Sequence, residues 1–305
     1  MIWWTRPLVR WIAAILLPIV VPGVITTILW ALPGDPVEIL CPPSNCTGQA
    51  ELSARWHMDT GPIGFFRHWL SSAVTGDFGP SIRVLTGTSV ADLLWGSIAT
   101  TAWLVGVALI PVVLYSGAAA AGALPRRLDP VWQTLGLVPS VILALLLAAF
   151  VEISYGAGSH DGWPATLRLL FGALVLGVAD GTLAGSVVGT RSVFDEEVKQ
   201  RYILVAQLRG ETVLVNALPN VLPALIGQFR GRVLQILSGA VVVEVVLGIP
   251  GVGELLWDGT LLQDFFVVLA AAWAFSLFSG ILLLLQGLSE VLIELYVRRT
   301  PRGVA

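Results

Sequence analysis

Charge is scarce in this chain. Only 12% of its 305 residues are Asp, Glu, Lys or Arg, against about 25% in an ordinary soluble domain. With 56% hydrophobic residues and a mean hydropathy of +0.84, a large soluble core is excluded. Cysteine is nearly absent, with only Cys41 and Cys46. Structural zinc usually takes four ligands, so two cysteines with nearby His57 do not make a metal site. No Ser/His/Asp set and no His-Glu-x-x-His motif is present, and no catalytic residue is proposed. Gly248 to Gly253 supplies glycines without the Lys-Ser/Thr of a phosphate loop, so this chain does not hydrolyse ATP through that motif. The two halves show no inverted repeat, and no low-complexity tract appears beyond the apolar bias.

What the chain does have is long apolar runs. Only closed barrels and helices satisfy their backbone in lipid, and runs of about 20 residues are long enough for a helix to cross. The fold class is an all-α membrane protein with six transmembrane helices, at 11–32, 97–123, 131–151, 165–188, 222–247 and 265–297. The first run is long enough to span and has no small-residue cleavage site behind it, so it reads as an uncleaved helix. The chain divides into residues 1–32, an extracytoplasmic segment at 33–96, and a core at 97–305 with a cytoplasmic loop at 192–220. Within 33–96, Phe65, Phe66, Trp69 and Leu70 suggest an amphipathic helix lying in the interface.

The net charge of −3 says little, because the charges are segregated along the chain. Basic clusters fall before the first span (Arg6, Arg10), after the second (Arg126, Arg127), after the fourth (Arg191) and after the last (Arg298, Arg299, Arg302). Short loops rich in Lys and Arg stay in the cytoplasm. All four clusters share one side only if there are six spans and both termini are cytoplasmic. The other loops carry more acids than bases.

The longest polar interval of the second half begins at Phe194. Phe194, Val198, Tyr202 and Ala206 recur every four residues, the stripe of an amphipathic helix. Gly210 ends it as a C-terminal glycine does, and a second short helix is bounded by Pro219 and Pro223. Glu196, Glu197, Lys199, Arg201, Arg209 and Glu211 put charge on the outer face, where a soluble partner could pair with them.

Ala206, Gly210 and Leu222-Pro223 together resemble the cytoplasmic coupling loop of inner-membrane permeases of ATP-binding-cassette importers. Leu32-Pro33-Gly34-Asp35-Pro36, His57-Met58-Asp59, Gly76-Asp77-Phe78-Gly79, Ser238-Gly239-Ala240, Val243-Glu244 and Ile249-Pro250-Gly251-Val252-Gly253 are similar to the oligopeptide/dipeptide/nickel subfamily. The likeness is to its first, B-type, subunit and runs nearly end to end. There are departures. The second half of the loop is about four or five residues shorter than this subfamily usually has. Leu208-Arg209-Gly210 replaces the usual Ala-Lys-Gly, and a Cys-Pro-Pro-Ser-Asn-Cys insert follows Leu40.

The resemblance implies a type I importer permease fold of the MetI-like kind, in a prokaryotic inner membrane. It implies as partners a second, C-type permease subunit, two ATPase subunits that carry ATP-Mg, and an extracytoplasmic solute-binding protein. Beyond membrane lipid no further partner is expected, nucleic acid included, and this chain itself binds no cofactor. It implies that Glu196, Glu197, Tyr202, Ala206, Arg209, Gly210 and Glu211 couple to the ATPases, in a coupling helix at about 194–216. Substrates in this family are di- and oligopeptides, nickel chelates, glutathione and some sugars.

Four charged residues sit at apolar positions and are pathway candidates: Asp180, Arg230, Arg232 and Glu244. Charge inside a membrane helix faces protein, water or the interface. Arg230 lies seven residues past Pro223, roughly 10 Å along a helix. Arg230 and Arg232 either snorkel to the interface or line the pathway. Glu244, near the outward end of its span, reads first as a helix-end acid in water, and Asp180 as either bonded to a neighbouring subunit or touching substrate. Cys41 and Cys46 could close a small disulfide loop in an oxidising compartment or stand as free thiols. His160, Asp161 and Trp163 read as an interface-anchoring loop. Two other classes compete with an importer permease. An ion-coupled secondary transporter predicts internal repeats and polar groups on broken helices, and a membrane scaffold leaves the cytoplasmic loop without purpose.

Overall fold

The computed structural model describes residues 5–31, 33, 35–42, 44, 47–155 and 165–299. Leu32, Gly34, Cys46, the loop with His160, Asp161 and Trp163, and the C-terminal residues from 300 onward lie outside the described residues. The described residues are helical, with one isolated antiparallel bridge between Pro80 and Ser89. Four helices are long and apolar enough to cross a membrane, or six spans if each of two bent pairs counts as one. The chain divides into two compact units. One is Met1–Trp11, Trp103–Gly248 and Leu282–Ala305, the other Ile12–Ala102 and Ile249–Ile281.

The second of these units holds most of α1 (Thr5–Ala31), then α2 (Pro36–Leu40), α3 (Gln49–Trp56), α4 (Gly61–Val74) and the start of α5 (Val90–Ala120). Asp35 accepts from the Val37 N–H at 2.9 Å and Pro36 opens α2, so Asp35-Pro36 is an N-cap followed by a proline that needs no donor. Phe65 and Trp69 of α4 are fully buried against protein, with Trp56, Phe78 and Phe266. This corrects the expectation of a helix lying in the interface: its aromatic face is taken up by other rings. The Trp56 and Phe266 centroids are 4.9 Å apart, within the range of favourable aromatic pairs. Gly76-Asp77-Phe78-Gly79 is a turn in which Asp77 Oδ1 accepts from the Gly79 N–H at 3.0 Å. At Gly79 (φ 95°) a β-carbon would lie 2.8 Å from Phe266, so both backbone and packing require glycine.

The other unit is built on α6 (Asp129–Leu135), α7 (Ser140–Tyr155), α8 (Ala165–Val178), α9 (Thr182–Val198), α10 (Arg201–Leu208) and α11 (Val213–Leu247). After it the chain returns through α12 (Val252–Leu261) and α13 (Phe265–Arg299). Three expected spans differ here. The third is not one straight helix: α6 and α7 meet at 73° across Gly136 to Pro139. Proline cannot donate to the helix ladder and disfavours helical backbone in the residue before it. The fourth is broken at Asp180 (φ 54°) and Gly181 (φ 72°), two successive left-handed residues between α8 and α9. The fifth starts earlier than expected. Pro219 and Pro223 lie inside α11 rather than beyond a separate short helix. The carbonyl that Pro219 leaves unbonded in the ladder is that of Val215, a residue 68% exposed.

The span Ala165–Val198 is the most enclosed of the candidates, with 61% of its apolar window buried against 22 to 33% for the other three. It is the central helix pair of its unit, and α11 packs along α9, α7 and α8.

Candidate functional site

The loop between α9 and α11 begins with a break. Lys199 follows α9 and Gln200 is extended (φ −70°, ψ 142°), so the stripe from Phe194 to Ala206 is two helices, not one. Across the break, α10 turns Ile203 and Ala206 inward. Ile203 packs with Phe194, Ala217 and Val221 in a small core of its own. Val198 and Tyr202, the other two members of the stripe, are 38% and 41% exposed.

Past α10 the chain closes as a Schellman turn. The Gly210 N–H donates to Gln207 O at 2.9 Å and the Glu211 N–H to Ala206 O at 3.0 Å. Gly210 has φ 79°, and a β-carbon there would meet nothing, so glycine is required by the backbone conformation alone. Tyr202 ties the elements together: its hydroxyl donates to Glu197 Oε1 and accepts from Asn220 Nδ2 at 2.6 Å. Partial burial, and then the bond to Glu197, push the phenol above its ordinary pKa.

The outer surface of α10 departs from the expectation of a charged face. Leu204, Val205 and Leu208 are 59%, 46% and 81% exposed, and Leu214, Val215 and Leu218 at the start of α11 are exposed as well. The charged side chains Glu196, Arg201, Arg209 and Glu211 are exposed around it, and Glu197 is half-buried. The reason is geometric. An eight-residue helix with two inward positions has six others left over, and three of those six, Leu204, Val205 and Leu208, are apolar.

Two ion pairs fasten the neighbouring loop to α9. Arg126 Nη2 lies 2.6 Å from Asp195, and Arg191 pairs with Asp129 while donating to Leu124 O at 2.7 Å. The basic residues after the second and fourth spans therefore share one end of this unit. Arg10 also pairs with Glu290 within the unit.

The pathway candidates separate. Asp180 sits at the break between α8 and α9. Its carboxylate accepts from the Ser140 N–H at 3.0 Å, capping the first turn of α7, and its own N–H donates to Val138 O at 3.0 Å. Its carbonyl accepts from Gln235, whose Oε1 accepts from Arg232 Nη1 at 2.8 Å. Both helix breaks are thus tied together and to α11. Arg230 and Arg232 are each partly buried, and neither faces a carboxylate among the described residues. Glu244 is fully buried, which removes the reading of a helix-end acid in water. One turn on, α11 ends at Gly248 (φ 60°), whose N–H returns to Glu244 O and whose carbonyl accepts from Arg168 Nη1 at 3.1 Å. A cation at a helix C-terminus is favourable. Cys41 is fully buried and disulfide-bonded, while Cys46 lies outside the described residues.

Asp264 went unnoticed in the sequence. It is fully buried, and its Oδ2 accepts from the Ser81 hydroxyl and from the N–H groups of Ile82, Arg83 and Val84, at 2.8 to 3.2 Å. Arg83 reaches back to Leu262 O and Gln263 Oε1. The one cue was an acid placed directly before a long apolar run. No group of three or more His, Cys, Asp or Glu that could hold a metal occurs among the described residues.

Residues 110–295, which include both helix breaks, the α10 loop and all of α11, match the family of the binding-protein-dependent transport system inner membrane component. The chain belongs to this family. It is the permease subunit of an ATP-binding-cassette importer. The permease is 28% identical over 296 residues to the dipeptide transport system permease protein DppB of Bacillus subtilis, covering 92% of this chain and 94% of that one. It is 28% identical over 258 residues to the glutathione transport system permease protein GsiC of Escherichia coli K12, covering 81% and 83%. The polar groups on broken helices that a secondary transporter would need are present in the permease, but at Asp180 they cap α7.

Proposed function

We propose that this permease crosses the inner membrane six times with both termini in the cytoplasm. It pairs with a second permease subunit to form the translocation pathway. It takes force from two ATPase subunits, which carry ATP-Mg, and receives substrate from an extracytoplasmic binding protein. Its substrates are di- and oligopeptides. The relatives named for dipeptide and glutathione transport support that class, since glutathione is itself a tripeptide.

The observation that carries the reading is α10. It is a short helix on a glycine turn, held from beneath by Ile203 and Ala206 and presenting Leu204, Val205 and Leu208 outward. An exposed apolar patch rimmed by charge marks a protein contact. Glu196, Glu197, Tyr202, Arg209, Gly210 and Glu211 near the patch, with Ala206 beneath it, make up the coupling site. When the ATPases close on ATP, α10 moves with them. Tyr202 and Asn220 pass that displacement to α11, which runs unbroken from Val213 to Leu247.

Uptake of a labelled dipeptide into proteoliposomes of the whole importer, with the binding protein outside and ATP enclosed, tests this. Uptake is expected to require ATP and the binding protein and to survive ionophores. Uptake that persists without ATP and collapses with the ion gradient would overturn the reading.

A further inference from the structure

On α11, Gln228, Arg232 and Gln235 recur at intervals of four and three residues, one face of a helix. That face meets glycines of α9. A β-carbon at Gly189 would lie 3.0 Å from Gln228 Oε1, and one at Gly185 would collide with the Arg232 guanidinium. The missing side chains of α9 therefore leave room for polar side chains of α11 within an apolar helix pair. Gln235 is satisfied from both ends, by Asp180 O and by Arg232. Two groups are not satisfied. Ser186, next to Gly185, is 5% exposed, and its hydroxyl has no partner. Arg232 gives a single hydrogen bond, to Gln235, and faces no carboxylate among the described residues. Both line one cavity of about 260 Å³, together with Ser116 of α5, Thr190 of α9 and Gln228 of α11.

We propose that this cavity is a carboxylate subsite of the transport pathway, in which Arg232 and Ser186 hold one carboxylate of the passing substrate. The inference rests on the peptide-importer reading and deepens it. A guanidinium offers a planar fork of N–H donors matched to a carboxylate. A buried hydroxyl without a partner costs free energy, which an arriving acceptor recovers. The cavity is smaller than the roughly 300–1,000 Å³ of pockets for drug-sized ligands, so it takes the end of a peptide and not the whole. Arg232 also bonds Gln235, which bonds the Asp180 turn, so an occupant bears directly on the break between α8 and α9.

The test uses the assembled importer without its binding protein, so that upstream selectivity is removed. Binding of dialanine and of dialanine amide is followed by saturation-transfer NMR. The amide is expected to bind about tenfold or more weakly, the effect of losing a charge-assisted hydrogen bond. Arg232→Gln should weaken dialanine by a similar factor and leave the amide unchanged, and Arg232→Lys should restore part of the loss. Ser186→Ala and Gly185→Ala leave the charge in place and should each weaken dialanine several-fold. They carry the same readout if Arg232→Gln does not assemble. Equal binding of dialanine and its amide by an importer that drives ATP-dependent dialanine uptake would overturn the subsite alone. An importer that takes up no peptide at all would overturn the peptide reading and the subsite with it.

Discussion

Asp180 and Gly210 both have left-handed backbones, but they fail differently when replaced. At Gly210 a β-carbon meets open space, so Gly210→Ala costs only the left-handed conformation, about 1–2 kcal/mol. The expected result is a lowered melting temperature of the solubilised complex and weakened coupling of ATP hydrolysis to uptake. Asp180 has both a left-handed backbone and a capping carboxylate. Asn tolerates that backbone and keeps an acceptor. Asp180→Asn should therefore be mild in thermal unfolding, while Asp180→Ala should lose the cap, about 0.5–2 kcal/mol, and be strained besides. If Asn proved as damaging as Ala, the charge of Asp180 and not its capping would be what matters. Asp264 is a further residue-scale case. Asp264→Ala would strip the acceptor from one hydroxyl and three backbone N–H groups, at about 1–3 kcal/mol for each buried donor left unpaired. The expected outcome is failure to accumulate the permease, read by membrane immunoblot.

At the scale of elements, the bond between Tyr202 and Asn220 joins α10 to α11. Asn220, which holds Tyr202, lies twelve residues before Arg232 on the same helix, about 18 Å along its axis. Under the proposed coupling, a displacement of α10 acts through this continuous helix, and the α6–α7 and α8–α9 breaks are the places expected to yield. The apolar patch on α10 predicts a separation of effects. Leu208→Asp, at a position 81% exposed, should leave the permease folded and deplete the ATPase subunits from pull-downs of the complex. Ile203→Asp, at a fully buried position, should instead prevent accumulation. Equal ATPase recovery with Leu208→Asp would remove α10 from the contact.

For the whole molecule, orientation across the membrane is read by the side from which an exposed residue reacts. Leu208 and Ile63 are both well exposed, at 81% and 83%, and belong to different units. Leu208→Cys should react with an impermeant maleimide only from the cytoplasmic side, and Ile63→Cys only from the outer side. Labelling of both from one side would overturn the six-span arrangement.

The apolar runs, the glycine turn at Gly210 and the family signature were legible in the sequence, because each depends on composition or on neighbours within a few residues. Asp35-Pro36 and Asp77-Phe78-Gly79 are of this local kind: a cap and a turn close on themselves. Asp264, Glu244 and the Arg232 cavity were not legible in the same way. Asp264 finds its donors about 180 residues away, Glu244 is buried by packing, and the cavity exists because glycines of α9 face polar residues of α11. Whether a charge lies in water, against a helix end or beside an empty space is decided by what packs over it. The straightness of the third and fourth spans was likewise a matter for the tertiary fold. Hydropathy counts apolar residues over a window, whereas a helix breaks where a proline or a left-handed residue finds a partner to satisfy the freed backbone, as Val138 and Ser140 do with Asp180.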